Sequence, residues 1–194
     1  MLNAIMLLLS PVGAWNRIAK SRAHPLAVFL LTLLPLLAGA VWVEGYGIAR
    51  WGTHQGELSR ILTVETSRIQ KYQAAQAVLL IMTFIGGGFM IRVIAHSFHF
   101  FPSFQQSFTL AVYGWSPFLF VRILDAHPAI ASWGCWILGA VFSVRALYHG
   151  VGIVLQPDQT KGFGMFLVAS LLGTMLTGLT HFLAQAVLSG RILP

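Results

Sequence analysis

The amino-acid sequence predicts an all-α, polytopic membrane protein with five transmembrane helices and an amphipathic interfacial helix at its N-terminus. Hydrophobic residues make up 57% of the 194-residue chain and charged residues only 9%, against about 25% charged in soluble domains. Five continuous apolar runs also come close to the roughly 20 helical residues that cross a hydrocarbon core. The runs are 25–43, 74–95, 108–124, 129–149 and 163–188.

The composition excludes two other classes. So few charges would not cover a soluble domain built on five buried helices, and continuous runs lack the alternation of β-barrel strands. The net charge of +7 comes from 12 Lys and Arg against 5 Asp and Glu. These basic residues are spread through tails and loops without a nucleic-acid fingerprint. We therefore expect them to meet anionic lipid headgroups, and no nucleic acid.

Residues 1–24 are expected to form a membrane-surface segment, and residues 25–194 the five-helix domain. The first nine residues are apolar but lack the basic leader and cleavage site of a secretory signal. Pro11 suits the first turn of a helix, and Pro25 should break that helix before the first run. The apolar positions between them follow a helical spacing, at Ala14, Trp15, Ile18 and Ala19.

The connections between the runs differ in character. Within 44–73, the apolar spacing of 56–72 predicts a short amphipathic helix on the membrane. The aromatic segment 96–107 suits the headgroup boundary. Residues 125–128 form a tight connection that makes the third and fourth runs antiparallel neighbours, and 150–162 form a short polar loop.

The orientation in the membrane rests on the basic residues before the first run. Each side holds six basic residues in total, which gives no bias. Arg17, Lys20 and Arg22 precede the first run, however, and the first helix often sets the topology. We expect a cytoplasmic N-terminus and an external C-terminus.

Three short motifs lie in order along the chain. The first holds Ser10, Pro11, Trp15 and Ile18; the second leads from 104–107 into Tyr113-Gly-Trp-Ser-Pro117; the third holds Leu147-Tyr148-His-Gly150, Pro157-Asp158 and Lys161. With five runs and this length, the chain resembles the Yip-domain family of small membrane proteins, specifically its bacterial inner-membrane branch. The family often has proline soon after its Tyr-x-Gly, where this chain has Val151-Gly152.

The resemblance implies a five-helix membrane domain with a cytoplasmic N-terminus, located in the bacterial inner membrane, and no catalytic residues. Eukaryotic members are associated with small GTPases and vesicle traffic, and bacterial members have no settled function. We expect structural roles for the motif residues Pro11, Trp15, Tyr113, Pro117, Tyr148, Gly150, Pro157 and Lys161.

Two of those roles have a physical basis in the residues themselves. Pro117 removes a backbone hydrogen bond inside a span, and either Ser116 or a neighbouring helix must satisfy the freed carbonyl. Tyr148 and Gly150 are expected to end the fourth run, because an amphipathic ring and a helix terminator both suit that place.

Ionisable residues within the runs are candidates for function. Arg122 and Asp125 are three apart and are expected to form a local ion pair. Arg92 and Arg145 lie near span ends, where both can extend to the headgroups. The lone Cys135 lies in the fourth run and supports neither a disulfide framework nor a multi-cysteine metal site.

The histidines are the candidates for a cofactor or metal. His96, His99 and His149 fall on one predicted side, where imidazoles could hold a metal or haem. The first two lie on a segment expected to be non-helical, without a nearby carboxylate, so we expect no cofactor and no metal. His181 and His127 lie on the other side. No hydrolytic constellation or phosphate loop is evident, and we expect no enzyme.

Ala169, Gly173 and Thr177 form a stripe of small residues on the fifth run, typical of close helix contact. The sequence leaves open whether the stripe packs within the chain or against another subunit. The leading hypothesis is a non-enzymatic protein that binds other membrane proteins or shapes the bilayer. The second is an accessory subunit of a redox or energy-converting complex. The third, a small transporter, is disfavoured because no buried charge cluster is evident.

Overall fold

The computed structural model describes residues 2–55, 60–127 and 129–192. The helices are α1 (Leu2–Leu9), α2 (Pro11–Ser21), α3 (Pro25–Val28), α4 (Leu34–Trp51), α5 (Thr66–Ser97), α6 (Phe104–Arg122), α7 (Ser132–Gly150) and α8 (Gln159–Leu188). A π-helical turn, Phe29–Leu33, joins α3 to α4, a second, Val151–Leu155, extends α7, and a 3-10 turn, Leu124–Ala126, follows α6. Two short strands, β1 (Thr53–Gln55) and β2 (Arg60–Leu62), pair antiparallel.

The prediction of an all-α fold with five membrane spans is confirmed. Among the described residues, five helical stretches are long and apolar enough to cross a bilayer. We number them as spans 1 to 5, and they are Pro25–Trp51, Thr66–Ser97, Phe104–Ala126, Ser132–Leu155 and Lys161–Leu188.

Span 3 is the centre of the bundle. In the most apolar stretch of span 3, 78% of the residues are buried, against 22% in that of span 5. It contacts each of the other four spans, and around it span 1 packs on span 2, span 2 on span 5, and span 5 on span 4. The outer faces of spans 2 and 5 are left exposed and apolar, as lipid contact requires.

The small residues of span 5 face the interior of the bundle. Ala169 is fully buried and Thr177 is 4% exposed, and a side chain at Gly173 would collide with the indole of Trp115 in span 3. Gly87 of span 2 meets the same indole. The stripe therefore packs within the chain, one of the two alternatives that the sequence leaves open.

The predicted amphipathic helix is α2, and its apolar face packs on the bundle. Ala14, Trp15 and Ile18 are buried, and α2 contacts α7 and its π-helical extension. The helix ends at Arg22, which has a left-handed backbone with φ of 42°. Span 1 then begins at Pro25, as the proline predicts.

The predicted surface helix at 56–72 is wrong in the part that the structure describes. Residues 60–62 form β2, and the helix that begins at Thr66 is the start of span 2; residues 56–59 lie outside the described chain. The apolar positions Ile69 and Tyr72 are buried against Ile48 of span 1 and the end of span 5. Contact between spans, and not the bilayer surface, accounts for the apolar side chains of Ile69 and Tyr72.

The ends of two runs also differ from the prediction. Span 1 continues past residue 43 to Trp51, and span 4 continues past Tyr148 and Gly150 to Leu155. Gly150 has a helical backbone with φ of −66°, so it does not terminate the helix. Its role is spatial, because a side chain there would collide with Trp15 of α2.

Candidate functional site

A buried ionic cluster joins the first three spans. We define it as Glu44 of span 1, Tyr72 and Gln76 of span 2, and Arg122 of span 3. Arg122 holds Glu44 through two hydrogen bonds, from Nε to Oε2 at 3.1 Å and from Nη2 to Oε1 at 3.2 Å. This bidentate geometry is the strongest form of the carboxylate–guanidinium pair.

The other two members complete the coordination of the carboxylate. The Tyr72 hydroxyl donates to Glu44 Oε1, and Gln76 Nε2 donates to Glu44 Oε2 at 2.5 Å. Glu44 is 2% exposed and Gln76 and Tyr72 are fully buried. Only Gln76 Oε1 in the cluster has no hydrogen-bond partner. Two buried opposite charges with satisfied hydrogen bonds are stable together, whereas either charge alone is costly in an apolar interior.

The predicted local pair between Arg122 and Asp125 is therefore wrong. Arg122 turns inward to Glu44, 78 positions earlier in the chain. Glu44 lies about 10 Å of helix before the end of span 1, because the span does not stop at residue 43. The signal was present in the sequence, since the apolar pattern resumes after Glu44 at Ile48. The bundle therefore does contain a buried charge cluster, contrary to the expectation on which transport was disfavoured.

Asp125 belongs to a second polar group, at the same end of the bundle. Ser132 Oγ donates to Asp125 Oδ2 at 2.5 Å, and His181 Nε2 lies 3.1 Å from the same hydroxyl. Gln185 Nε2 donates to it at 3.4 Å. Because the single hydroxyl proton goes to Asp125, His181 must donate to the serine.

That order of hydrogen bonds differs from a hydrolytic triad. In a Ser–His–Asp triad the serine donates to the histidine and the histidine to the carboxylate. Here Ser132 lies between the other two side chains, with its proton held by Asp125. No local signal in the sequence marks this grouping, because its members lie at the end of span 3 and in spans 4 and 5.

A cavity of about 510 Å³ lies beside both polar groups. Glu44, Asp125, Ser132 and Gln185 contribute to its lining, together with apolar residues including Trp133. The volume is in the range of small-molecule sites. This end of the bundle thus combines charge, hydrogen-bonding groups and space.

The N-terminal half of span 3 is held by uncharged contacts. Trp15 Nε1 donates to the Ala146 carbonyl of span 4 at 2.7 Å. The Trp15 ring meets the Tyr113 ring edge-on at a centroid distance of 6.3 Å, and the Tyr113 hydroxyl and Thr32 Oγ1 are 3.0 Å apart. Gly150 provides the space for the indole. Five residues from four parts of the sequence meet here, and three of them belong to the motifs.

The remaining motif residues have local positions. Ser116 Oγ donates to the Tyr113 carbonyl at 2.8 Å, which is the carbonyl that Pro117 leaves without an N–H partner. Ser116, and not a neighbouring helix, therefore satisfies the carbonyl that Pro117 frees. Lys161 Nζ lies 3.1 Å from Asp158. Pro11 is buried in the first turn of α2, and the Tyr148 side chain is 61% exposed beside Phe166.

The candidate histidines lie near aromatic rings. His96 is exposed, within α5 and not in a loop as expected, and its ring is 4.9 Å from that of Phe101. His99 is exposed with φ of 55°, and the half-buried His149 contacts Tyr148. Within the described residues, no group of three His, Cys, Asp or Glu side chains is placed to hold a metal ion.

Comparison with known proteins gives one match. A family profile for the Yip1 domain matches residues 5–180, nearly the whole chain. No curated protein and no solved structure matches it.

Proposed function

The chain belongs to the Yip1 domain family, and on that premise we propose that it is a non-enzymatic membrane protein that binds and organises other membrane proteins through α2. The observation that carries this proposal is the docking of α2 by Trp15. A helix fixed on the bundle by its apolar face presents its polar face in one orientation, as a binding surface requires.

The polar face of α2 is basic. Arg17 and Lys20 are exposed, and so is Asn16 between the buried positions. Among the described residues, neither Arg17 nor Lys20 forms an ion pair with an acidic side chain. The partner that such a face selects is acidic, either a juxtamembrane segment of another protein or an anionic leaflet. Because the stripe on span 5 packs internally, the contact surface that we propose is α2.

The same face supports a cytoplasmic N-terminus in a bacterial inner membrane. Interfacial cations favour the cytoplasmic side, and the pairing of Arg122 with Glu44 removes one cation from the opposite interface. If the N-terminus is cytoplasmic, a Lys20→Cys variant should react with membrane-impermeant maleimide only after the cells are opened. Cys135 is buried and should stay unlabelled, so the signal reports on position 20. Labelling of intact spheroplasts at position 20 would reverse the proposed orientation.

Charge reversal on α2 tests the binding function. We expect the double variant Arg17→Glu, Lys20→Glu to lose the proteins that co-purify with the full chain in mild detergent, as identified by mass spectrometry. The fold should persist, because both side chains are exposed. The matched control is Arg92→Glu, an exposed cation near the end of span 2 and outside α2.

The proposal fails if the co-purifying proteins are the same for the wild type and the double variant. It also fails if Arg92→Glu removes them equally, because the dependence would then be on total charge. Loss in the α2 variant alone would identify α2 as the contact surface.

A further inference from the structure

A cavity of about 320 Å³ lies beneath α2, at the end of the bundle opposite the ionic cluster. Its walls come from the end of α2, the start of span 1, the first turns of α6 and the end of span 4. Apolar side chains form part of the lining, among them Ile18, Val28 and Ile153. The rest of the lining is mostly polar.

Among the described residues that line this cavity, Arg22 is the one with a charged side chain. Gln105 Nε2 donates to the Arg22 carbonyl at 2.8 Å and to the Ala23 carbonyl at 2.9 Å, so the backbone at Arg22 is fixed while its guanidinium remains available. In the described chain, no carboxylate pairs with Arg22. The cavity is therefore electropositive, and the nearby N-terminus of α6 adds to that field.

Thr109 is the second observation, independent of the charge. It lies on the face of α6 that lines the cavity and is 9% exposed. Its neighbours in the lining have partners: Ser103 caps the Gln106 amide at 3.2 Å, and the Tyr113 hydroxyl meets Thr32. Among the described residues the Thr109 hydroxyl has no hydrogen-bond partner, so it is free to bond a ligand in the cavity.

We propose that this cavity binds a phosphate-bearing ligand, with the phosphate at Arg22 and a second ligand oxygen at Thr109. A guanidinium binds phosphate through charge-assisted bonds, and the hydroxyl supplies a donor deeper in the cavity. The apolar walls fit a ligand that also carries hydrocarbon. A glycerophospholipid has this order of groups, with ester oxygens below its phosphate, and a soluble glycerol phosphate shares the same chemistry.

Two substitutions remove these two contacts. Arg22→Gln removes the charge, and Thr109→Val removes the hydroxyl at nearly constant volume and breaks no bond that the structure contains. The matched control is Thr174→Val, whose hydroxyl donates only to the Ser170 carbonyl of its own helix. Thermal unfolding of each variant establishes that the chain is folded before binding is measured.

Binding is measured on the purified full chain by native mass spectrometry, with phosphatidylglycerol, phosphatidylcholine and glycerol 3-phosphate as probes. We expect one phosphatidylglycerol to bind in preference to phosphatidylcholine. Its affinity should fall at least about tenfold in Arg22→Gln, as for loss of a hydrogen bond to a charged group. It should fall about two- to tenfold in Thr109→Val, as for loss of a neutral hydrogen bond. It should not change in Thr174→Val.

The outcomes separate the two sources of phosphate. If glycerol 3-phosphate does not displace the lipid, the ligand is a phospholipid. If glycerol 3-phosphate binds in its place and depends on the same two residues, the ligand is a soluble phosphate compound. Affinities unchanged in both variants, for the lipids and for glycerol 3-phosphate, would overturn the proposal. The variant with charge reversal at Arg17 and Lys20 leaves both contacts intact, so failure of one proposal is distinguishable from failure of the other.

Discussion

The two halves of span 3 are fixed to the bundle by different kinds of contact. At its C-terminal end, Arg122 forms a buried ion pair with Glu44, and the hydroxyl of Tyr72 donates to the same carboxylate. Towards its N-terminal end, Tyr113 meets Trp15 and Thr32 without any charge. Both ends carry a cavity beside them.

The difference lies in what each contact tolerates. Removal of one partner from a buried ion pair leaves an uncompensated charge, so the ionic end depends on both. Removal of one uncharged partner loses a hydrogen bond and some packing, and the hydrogen bond alone averages about 0.6 kcal/mol in a membrane. We infer that the ionic end fixes the register of the first three spans, while the neutral end holds α2 on the bundle.

The largest expected effect comes from Arg122→Met. This change strands the Glu44 carboxylate in the bundle and should cost about 3–5 kcal/mol of the free energy of unfolding. Stepwise unfolding of the detergent-solubilised protein in SDS measures it. In the double variant Glu44→Gln, Arg122→Met both charges are gone, and most of the loss should be recovered. A double variant no more stable than the single one would contradict the account of an uncompensated charge.

The second largest effect is expected where an added side chain would disturb close packing, and it should differ between Gly47 and Gly150. A side chain at Gly47 would collide with the backbone of Ala126, whereas one at Gly150 would collide with the Trp15 ring. Overpacking costs roughly 1–3 kcal/mol of the free energy of unfolding. We expect a cost near the upper end of this range for Gly47→Ala and near the lower end for Gly150→Ala. The reason is that the Trp15 side chain can move away from an added methyl group, whereas the backbone of Ala126 cannot. Gly152→Ala is the control, because nothing lies within 4 Å of its added carbon.

A smaller effect is expected from Trp15→Phe. The ring is retained and the hydrogen bond to the Ala146 carbonyl is lost, at about 1 kcal/mol. Hydrogen exchange should rise in α2 and leave spans 2 and 5 unchanged. Equal protection in the wild type and the variant would mean that the indole N–H does not contribute to the docking of α2.

The smallest effect is expected from Tyr113→Phe. It removes only the hydroxyl contact with Thr32, worth about 0.6 kcal/mol for a hydrogen bond between spans. The control Tyr148→Phe alters an exposed side chain in the neighbouring span and should change nothing. A loss for Tyr113→Phe as large as that for Arg122→Met would remove the distinction between the two ends.

Several elements were predictable because the bilayer makes local composition decisive. A chain segment without water to satisfy its backbone must be helical, so the five spans follow from continuous apolar runs alone. The apolar face of α2, with Trp15 and Ile18, follows from helical periodicity. The serine that satisfies the carbonyl freed by Pro117 is one residue away and was also within reach of local reasoning.

The sequence by itself determined the class of the protein, the five spans and the amphipathic α2, since each depends on the residues of one segment and their solvent. Only the tertiary structure decided that Arg122 pairs with Glu44 and not with Asp125. It likewise decided that the stripe at Gly173 packs on Trp115 and that Gly150 admits Trp15. The physical reason is that a charge or a gap inside a membrane is compensated by whichever span packs beside it, and the neighbours in space are not the neighbours in sequence.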